Sequence, residues 1–288
     1  MKTLVLGSNG QLGHALAATV PDGVEFVGLD LPELDITSPE ALLALCREAR
    51  PDVIINAAAY TAVDQAESEA ELATAVNVEG PRNIASAARE VGSRLIHIST
   101  DFVFDGEAST PYQAEAEANP LSVYGRTKRD GEKAVLDAMP GRSVVVRTAW
   151  LYSKNGSNFA KTMLRLMDER DELSVVADQF GTPTWADSLA MAVWAFASTP
   201  ALSGIYHWTD GGETSWHEFA VAIQDEAVSL GLLDRKIPIH AITTEDYPTA
   251  AARPRFSVLD CSATVAALGL HPTPWRVNLR RMLKGMTN

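Results

Sequence analysis

Cysteine is scarce: two among 288 residues, Cys46 and Cys261, with no CxxC and no histidine cluster beside them. That scarcity argues against a disulfide framework and a cysteine-ligated metal centre. Apolar runs are short too, none reaching the ~20 residues that a membrane-spanning helix needs. The opening Met1-Lys2-Thr3-Leu4-Val5-Leu6 enters a strand-like run without a signal-peptide cleavage pattern, so a cytoplasmic protein free of the membrane is expected. Positive charge is in deficit: 24 Lys plus Arg against 37 Asp plus Glu leave a net charge of −13, which argues against nucleic acid as a partner. Repeats, low-complexity tracts and an evident linker are missing as well. An apolar fraction of 46% over this length supports one large domain or two ordinary ones.

The first half alternates β-branched runs with alanine-rich stretches, the pattern of a parallel sheet covered by helices on both faces. Strands are predicted over residues 4–6, 25–29, 53–55, 95–98 and 144–146, and helices over 11–20, 39–49, 70–91 and 122–139. The expected fold is α/β, a Rossmann-type doubly wound sheet over residues 1–150. Beyond residue 150 turn signals become frequent, as in Asn155-Gly156 and Asp210-Gly211-Gly212, with helices expected over 158–170, 188–197 and 215–230. Residues 151–288 read as a smaller substrate-binding region on the carboxyl edge of the sheet, from which later segments can return to the first domain.

Gly7-Ser8-Asn9-Gly10-Gln11-Leu12-Gly13 follows the first predicted strand and opens the first helix. Glycines there let backbone amides approach a pyrophosphate at a helix N-terminus, where the dipole favours negative charge. Asp30 ends the second strand, 23 residues after Gly7, where a carboxylate accepts from ribose hydroxyls. It would repel a 2′-phosphate, so the cofactor is expected to be NADH or NADPH with a lean toward NADH. Two further strand ends, Asn56-Ala57-Ala58-Ala59-Tyr60-Thr61 and Ser99-Thr100-Asp101, fall where such a sheet binds ligands.

Tyr124 and Lys128 stand four residues apart in Tyr124-Gly125-Arg126-Thr127-Lys128, roughly one helical turn, so phenol and ammonium project from the same face. A tyrosine pKa of about 10 falls beside a fixed cation, and such a pair can pass a proton near neutral pH. A hydroxyl at Thr100, with Ser99 as its competitor, could hold the substrate oxygen while Tyr124 exchanges the proton. For an anionic substrate a local basic patch is needed, and Arg253 with Arg255 is one candidate.

With these motifs in order, the chain resembles the extended short-chain dehydrogenase/reductases and, within them, the dTDP-4-dehydrorhamnose reductases. The similarity runs nearly end to end and also takes in Ser99-Thr100-Asp101-Phe102-Val103-Phe104, Arg147-Thr148-Ala149-Trp150-Leu151-Tyr152, Asn158-Phe159-Ala160-Lys161-Thr162-Met163 and Asp178-Gln179-Phe180-Gly181-Thr182-Pro183. The resemblance implies reduction of the 4-keto group of a dTDP-6-deoxy-hexose to dTDP-L-rhamnose, with Thr100, Tyr124 and Lys128 as the catalytic set. It implies dinucleotide contacts at Gly7, Gly10, Gln11, Leu12, Gly13 and Asp30, then at Asp35, Ile36, Ala58, Ala59, Tyr60 and Thr61, and at Thr100, Tyr124 and Lys128, the last through the nicotinamide ribose. Candidate contacts to the dTDP-sugar are Thr61, Val63, Phe102, Trp150, Asn158 and Arg253, beside Thr100 and Tyr124. Phe102 stands where many members have tyrosine. Some members bridge a dimer through magnesium held by glutamates, one early in the first helix. Ala15 beside His14 occupies that place, so a monomer or weak homodimer is expected, and hydride transfer does not require the metal. The rival readings are another nucleotide-sugar 4-ketoreductase, an epimerase or dehydratase, and a non-catalytic dinucleotide-binding regulatory subunit.

Overall fold

Runs of leucine and β-branched residues free of proline form five central strands in the computed structural model, which describes residues 1–287. They are β1 (Lys2–Leu6), β2 (Glu25–Leu29), β3 (Val53–Asn56), β4 (Arg94–Thr100) and β5 (Ser143–Thr148). A sixth strand, Gly204–His207, comes from the second half of the chain and pairs parallel with β5. Across the sheet the order is Gly204–His207, β5, β4, β3, β1, β2, with every neighbouring pair parallel. Strand order reverses between β1 and β3, which opens a crevice at the carboxyl ends.

Side chains alternate across this sheet and so feed two cores. Val5, Ile55, Ile96 and Val144 face α1 (Gln11–Ala18) on one side, while Leu4, Ile54, Leu95 and Val145 face α2 (Pro39–Ala49) on the other. The chain between β3 and β4 forms α3 (Val63–Ala66), α4 (Ala70–Thr74) and α5 (Gly80–Val91). One helix over 70–91 was the expectation. A π-helical turn over Ala75–Glu79 interrupts it instead. Pro81 explains the interruption, since its ring has no N–H and crowds the carbonyl four residues back, that of Asn77. That carbonyl is displaced toward α6 (Val123–Ala138), where a Cβ at Gly131 would lie 2.1 Å from it.

Beyond β5 the chain forms α7 (Phe159–Glu169), α8 (Ala186–Ala197) and α9 (Trp216–Ser229). Helix α8 starts two residues before the expected 188, and the Trp185 N–H donates to Asp210 Oδ2 at 3.1 Å at its start. It packs with α1 against the sheet, so residues 186–207 belong to the same layered core as β1 to β5. Helices α7, α9 and Trp275–Lys284 enclose a separate core around Tyr152, Met163, Phe219 and Leu279, next to a parallel pair of Leu173–Val176 with Ile239–Ile242. Among the described residues no helix is long and apolar enough to cross a membrane.

Candidate active site

The glycine-rich turn is fixed by close backbone approaches. Gly7 has φ +84°, and a Cβ there would lie 2.5 Å from the Ala58 nitrogen; one at Gly13 would lie 2.4 Å from the Gly7 oxygen. Gly10 precedes α1, and no side chain caps that helix, so its first N–H groups have no side-chain partner. This bare helix start at the carboxyl end of β1 fits the pyrophosphate of a dinucleotide. Asp30 closes the cradle: Oδ2 accepts from the Asn9 N–H at 2.9 Å and Oδ1 from the Leu31 N–H at 2.8 Å. Leu12 is buried in the core, Ile36 lies against Gly80, and Asp35 accepts from both the N–H and the hydroxyl of Thr37. Ala58 donates to Asn56 Oδ1, Ala59 is half-buried and Thr61 is exposed on the rim. Tyr60 is held by its backbone, its N–H donating to Asn77 Oδ1 at 2.9 Å and its carbonyl accepting from Asn77 Nδ2 at 3.0 Å.

Helix α6 is begun by Ser122, whose hydroxyl accepts from the Gly125 N–H, and it carries Tyr124 and Lys128 into the interior. Gly125 lets α6 press against the turn after β4, since a Cβ there would lie 2.2 Å from the Phe102 oxygen. The Phe102 and Tyr124 rings meet edge to face at 5.5 Å, and Val63 packs beside them. Burial pushes the Tyr124 phenol up to about 12, with the Thr100 hydroxyl pulling it back and the Asp101 carboxylate adding to the rise. Lys128 Nζ donates to the Ile98 carbonyl at 2.7 Å, and burial lowers its pKa to about 8 while the charge of Glu132 holds it up. The Lys128 ammonium is directed at the Ile98 carbonyl, while burial is the main influence on the phenol.

Adjacent residues of a strand face opposite sides, and of the two hydroxyls Ser99 is engaged with α6: it donates to Glu132 Oε1, which also accepts from Arg147 Nε at 2.9 Å. Arg147 Nη2 donates to Glu132 Oε2 at 2.7 Å, and both charged side chains are 3% exposed. Thr100, at the carboxyl end of β4, brings its hydroxyl beside the Tyr124 phenol. Its Oγ1 accepts from the Phe102 N–H at 3.2 Å and donates to Asp101 Oδ1 at 3.0 Å.

A cavity of about 810 Å³ is lined by Phe102, Trp150, Phe159, Trp216, Arg253 and Ser257, among others. Trp150 holds φ +45°, a conformation that costs a non-glycine residue about 1–3 kcal/mol, and stacks on Trp216 with ring centroids 3.5 Å apart. Arg253 sits at the edge, paired with Asp64 at 3.1 and 2.6 Å. Asn158 has its polar atoms engaged: Oδ1 caps α7 through the Lys161 N–H, and Nδ2 donates to Ser153 O and to Gln11 Oε1 at 2.9 Å. It thus ties the glycine-rich turn to the second region. Sequence reasoning gave no role to Asp101, Glu132, Asn77, Trp216 or Ser257. Glu132 repeats the spacing of Tyr124 and Lys128 along one face and could have been found; Trp216 and Ser257 arrive by tertiary packing alone.

A protonated phenol, a lysine one turn on and a threonine hydroxyl, gathered beside a dinucleotide cradle, define an oxidoreductase of the short-chain type that works with a nicotinamide cofactor. Comparison with known proteins narrows this. A family model described as RmlD substrate binding domain matches residues 1–288. The dTDP-4-dehydrorhamnose reductase of Aggregatibacter actinomycetemcomitans is 43% identical, covering 98% of each chain. The crystal structure of a dTDP-4-dehydrorhamnose reductase from Clostridium acetobutylicum superposes with a TM-score of 0.93 at 40% identity over 100% of both chains. One from Bacillus anthracis, in complex with NADP, gives 0.92 at 38% identity over 98% of both. The chain belongs to the dTDP-4-dehydrorhamnose reductase family.

Proposed function

We propose that the chain reduces the 4-keto group of dTDP-4-dehydro-6-deoxy-L-mannose to give dTDP-L-rhamnose, acting as a monomer or weak homodimer. The observation that carries this reading is a buried, protonated Tyr124 with Thr100 beside it, next to a cavity of about 810 Å³ walled by the Trp150–Trp216 stack. A nicotinamide dinucleotide held by the Gly7–Gly13 turn and Asp30 would supply the hydride for the ketone carbon. Tyr124 gives its phenolic proton to the ketone oxygen, and Thr100 hydrogen-bonds that oxygen. Lys128, one turn along α6, offsets the phenolate left behind. Arg253 offers its guanidinium to the diphosphate at the cavity edge in exchange for Asp64. Asp30 favours NADH by charge, and the Bacillus anthracis relative with NADP makes the ratio of the two dinucleotides a direct comparison.

The test is oxidation of NADH and of NADPH with the keto sugar generated in situ by an upstream dehydratase and epimerase, followed by product identification. Formation of dTDP-L-rhamnose is expected. Dinucleotide binding without oxidation would overturn the reading.

A further inference from the structure

A hydroxyl has one proton, and that of Thr100 is already committed. It donates to Asp101 Oδ1 at 3.0 Å while its oxygen accepts from the Phe102 N–H. With that arrangement Thr100 has no proton left for a ketone oxygen. Asp101 is 2% exposed, and its Oδ2 has no hydrogen-bond partner. The groups that act on it are Thr100 beside it, the Tyr124 phenol from α6 and the Ser257 hydroxyl from the C-terminal region. Burial pushes its carboxyl up to about 6, against the pull of Ser257, Thr100 and the backbone N–H groups.

We propose that Asp101 is a positioning residue that works in its neutral form, donating its carboxyl proton to Thr100 Oγ1 so that the Thr100 proton turns to the reacting oxygen. This rests on the reading of the site given above and deepens it. The bond lies along the same 3.0 Å contact with its direction reversed, so no atom has to move far. Protons balance without drawing on Asp101. The hydride adds to the carbonyl carbon, the C=O electron pair moves to oxygen, and the proton that completes the alcohol comes from Tyr124. The Asp101 and Thr100 protons hold the developing oxyanion and return to their places. A nucleotide sugar in the cavity excludes water and brings its own negative charge, and both effects hold Asp101 neutral to higher pH.

The test is the pH dependence of kcat for the keto-sugar reduction in the intact enzyme, Asp101→Asn and Asp101→Ala. The intact enzyme should lose rate as the Asp101 carboxyl ionises. Asparagine keeps a donor of the same shape and cannot ionise, so that limb should vanish, leaving the higher titration of Lys128, near 8 in the free enzyme. Alanine should lower kcat by about a hundredfold with KM within about twofold. An unchanged limb in Asp101→Asn, or intact-enzyme kcat in Asp101→Ala, would overturn the proposal.

Should these variants fail to fold, carboxyl ¹³C resonances of the aspartate-labelled intact enzyme decide. Asp210, raised to about 6, and Asp187, also raised by burial, are assigned through Asp210→Asn and Asp187→Asn. A late-titrating carboxyl other than those two that stays protonated at pH 7 in the complex with NADP and dTDP supports the proposal, and its absence overturns it. If the keto sugar is not reduced at all, the function fails while this resonance still reports on Asp101; if it is reduced and the Asn profile is unchanged, only the role of Asp101 falls.

Discussion

A phenol raised to about 12 carries its proton at neutral pH, so Tyr124 is in the form from which a proton can be given to a ketone oxygen that becomes a more basic alkoxide. Tyr124→Phe should lower kcat by about 10²- to 10⁴-fold while leaving the dinucleotide Kd, followed by fluorescence titration, unchanged. Asp30→Ala removes the charge at the end of β2, and the ratio of kcat/KM for NADPH over NADH should rise by about tenfold or more. Tyr124, Lys128 and Asp30 were legible in the sequence because each belongs to a local spacing. Ser99 and Thr100 were not separable there. Adjacent residues of a strand face opposite sides, and only the position of Arg147 on β5, paired with Glu132, shows which side lies beneath the site.

Helix α6 brings the phenol into place, and two of its glycines record how tightly it is seated. Gly131→Ala would put a methyl 2.1 Å from the Asn77 carbonyl, and Gly125→Ala one 2.2 Å from the Phe102 carbonyl. Both neighbours are backbone and cannot swing away, so each substitution should cost about 1–3 kcal/mol in a denaturant melt. Gly125→Ala should also reduce kcat, because the side chain next to it is Tyr124. The helical content of 70–91 was readable from composition, but the π turn was not. It is the joint product of Pro81 and the close approach of Gly131, 50 residues further along the chain. Its consequence is Asn77, turned so that one side chain braces the Tyr60 backbone and donates to Thr127 Oγ1, next to Lys128.

Over the whole molecule, buried titratable groups pull stability in opposite directions. His97 is held well below 6.5 and His207 at about 3, both chiefly by burial. Unfolding exposes bases that take up protons, so their contribution is complete above pH 6.5 and is lost as the pH falls below it. Asp101 and Asp210 are raised from 3.8 to about 6, so their contribution is complete below 3.8 and is lost as the pH rises toward 6. Near pH 5 two groups of each kind nearly cancel, and Tm should be level there and fall more steeply below pH 4. Asp210→Asn removes one opposing group, so in that variant Tm should rise between about pH 4.5 and 6 in a thermal-shift series.

The six-stranded sheet was predicted up to its fifth strand, because the sixth has no local mark that sets it apart from the turns around it. That Gly204–His207 strand lies along β5 also makes the molecule indivisible. Cut after residue 150, the chain would keep all five early strands yet lose both the cover of α8 and the neighbour of β5. Val144, Val145 and Val146, all 0% exposed in the whole chain, would then form an open apolar edge, a template for pairing with other chains. The reductase half cannot be inherited, expressed or swapped as a module; a recombination point that respects this protein's covalent order would still tear its sheet.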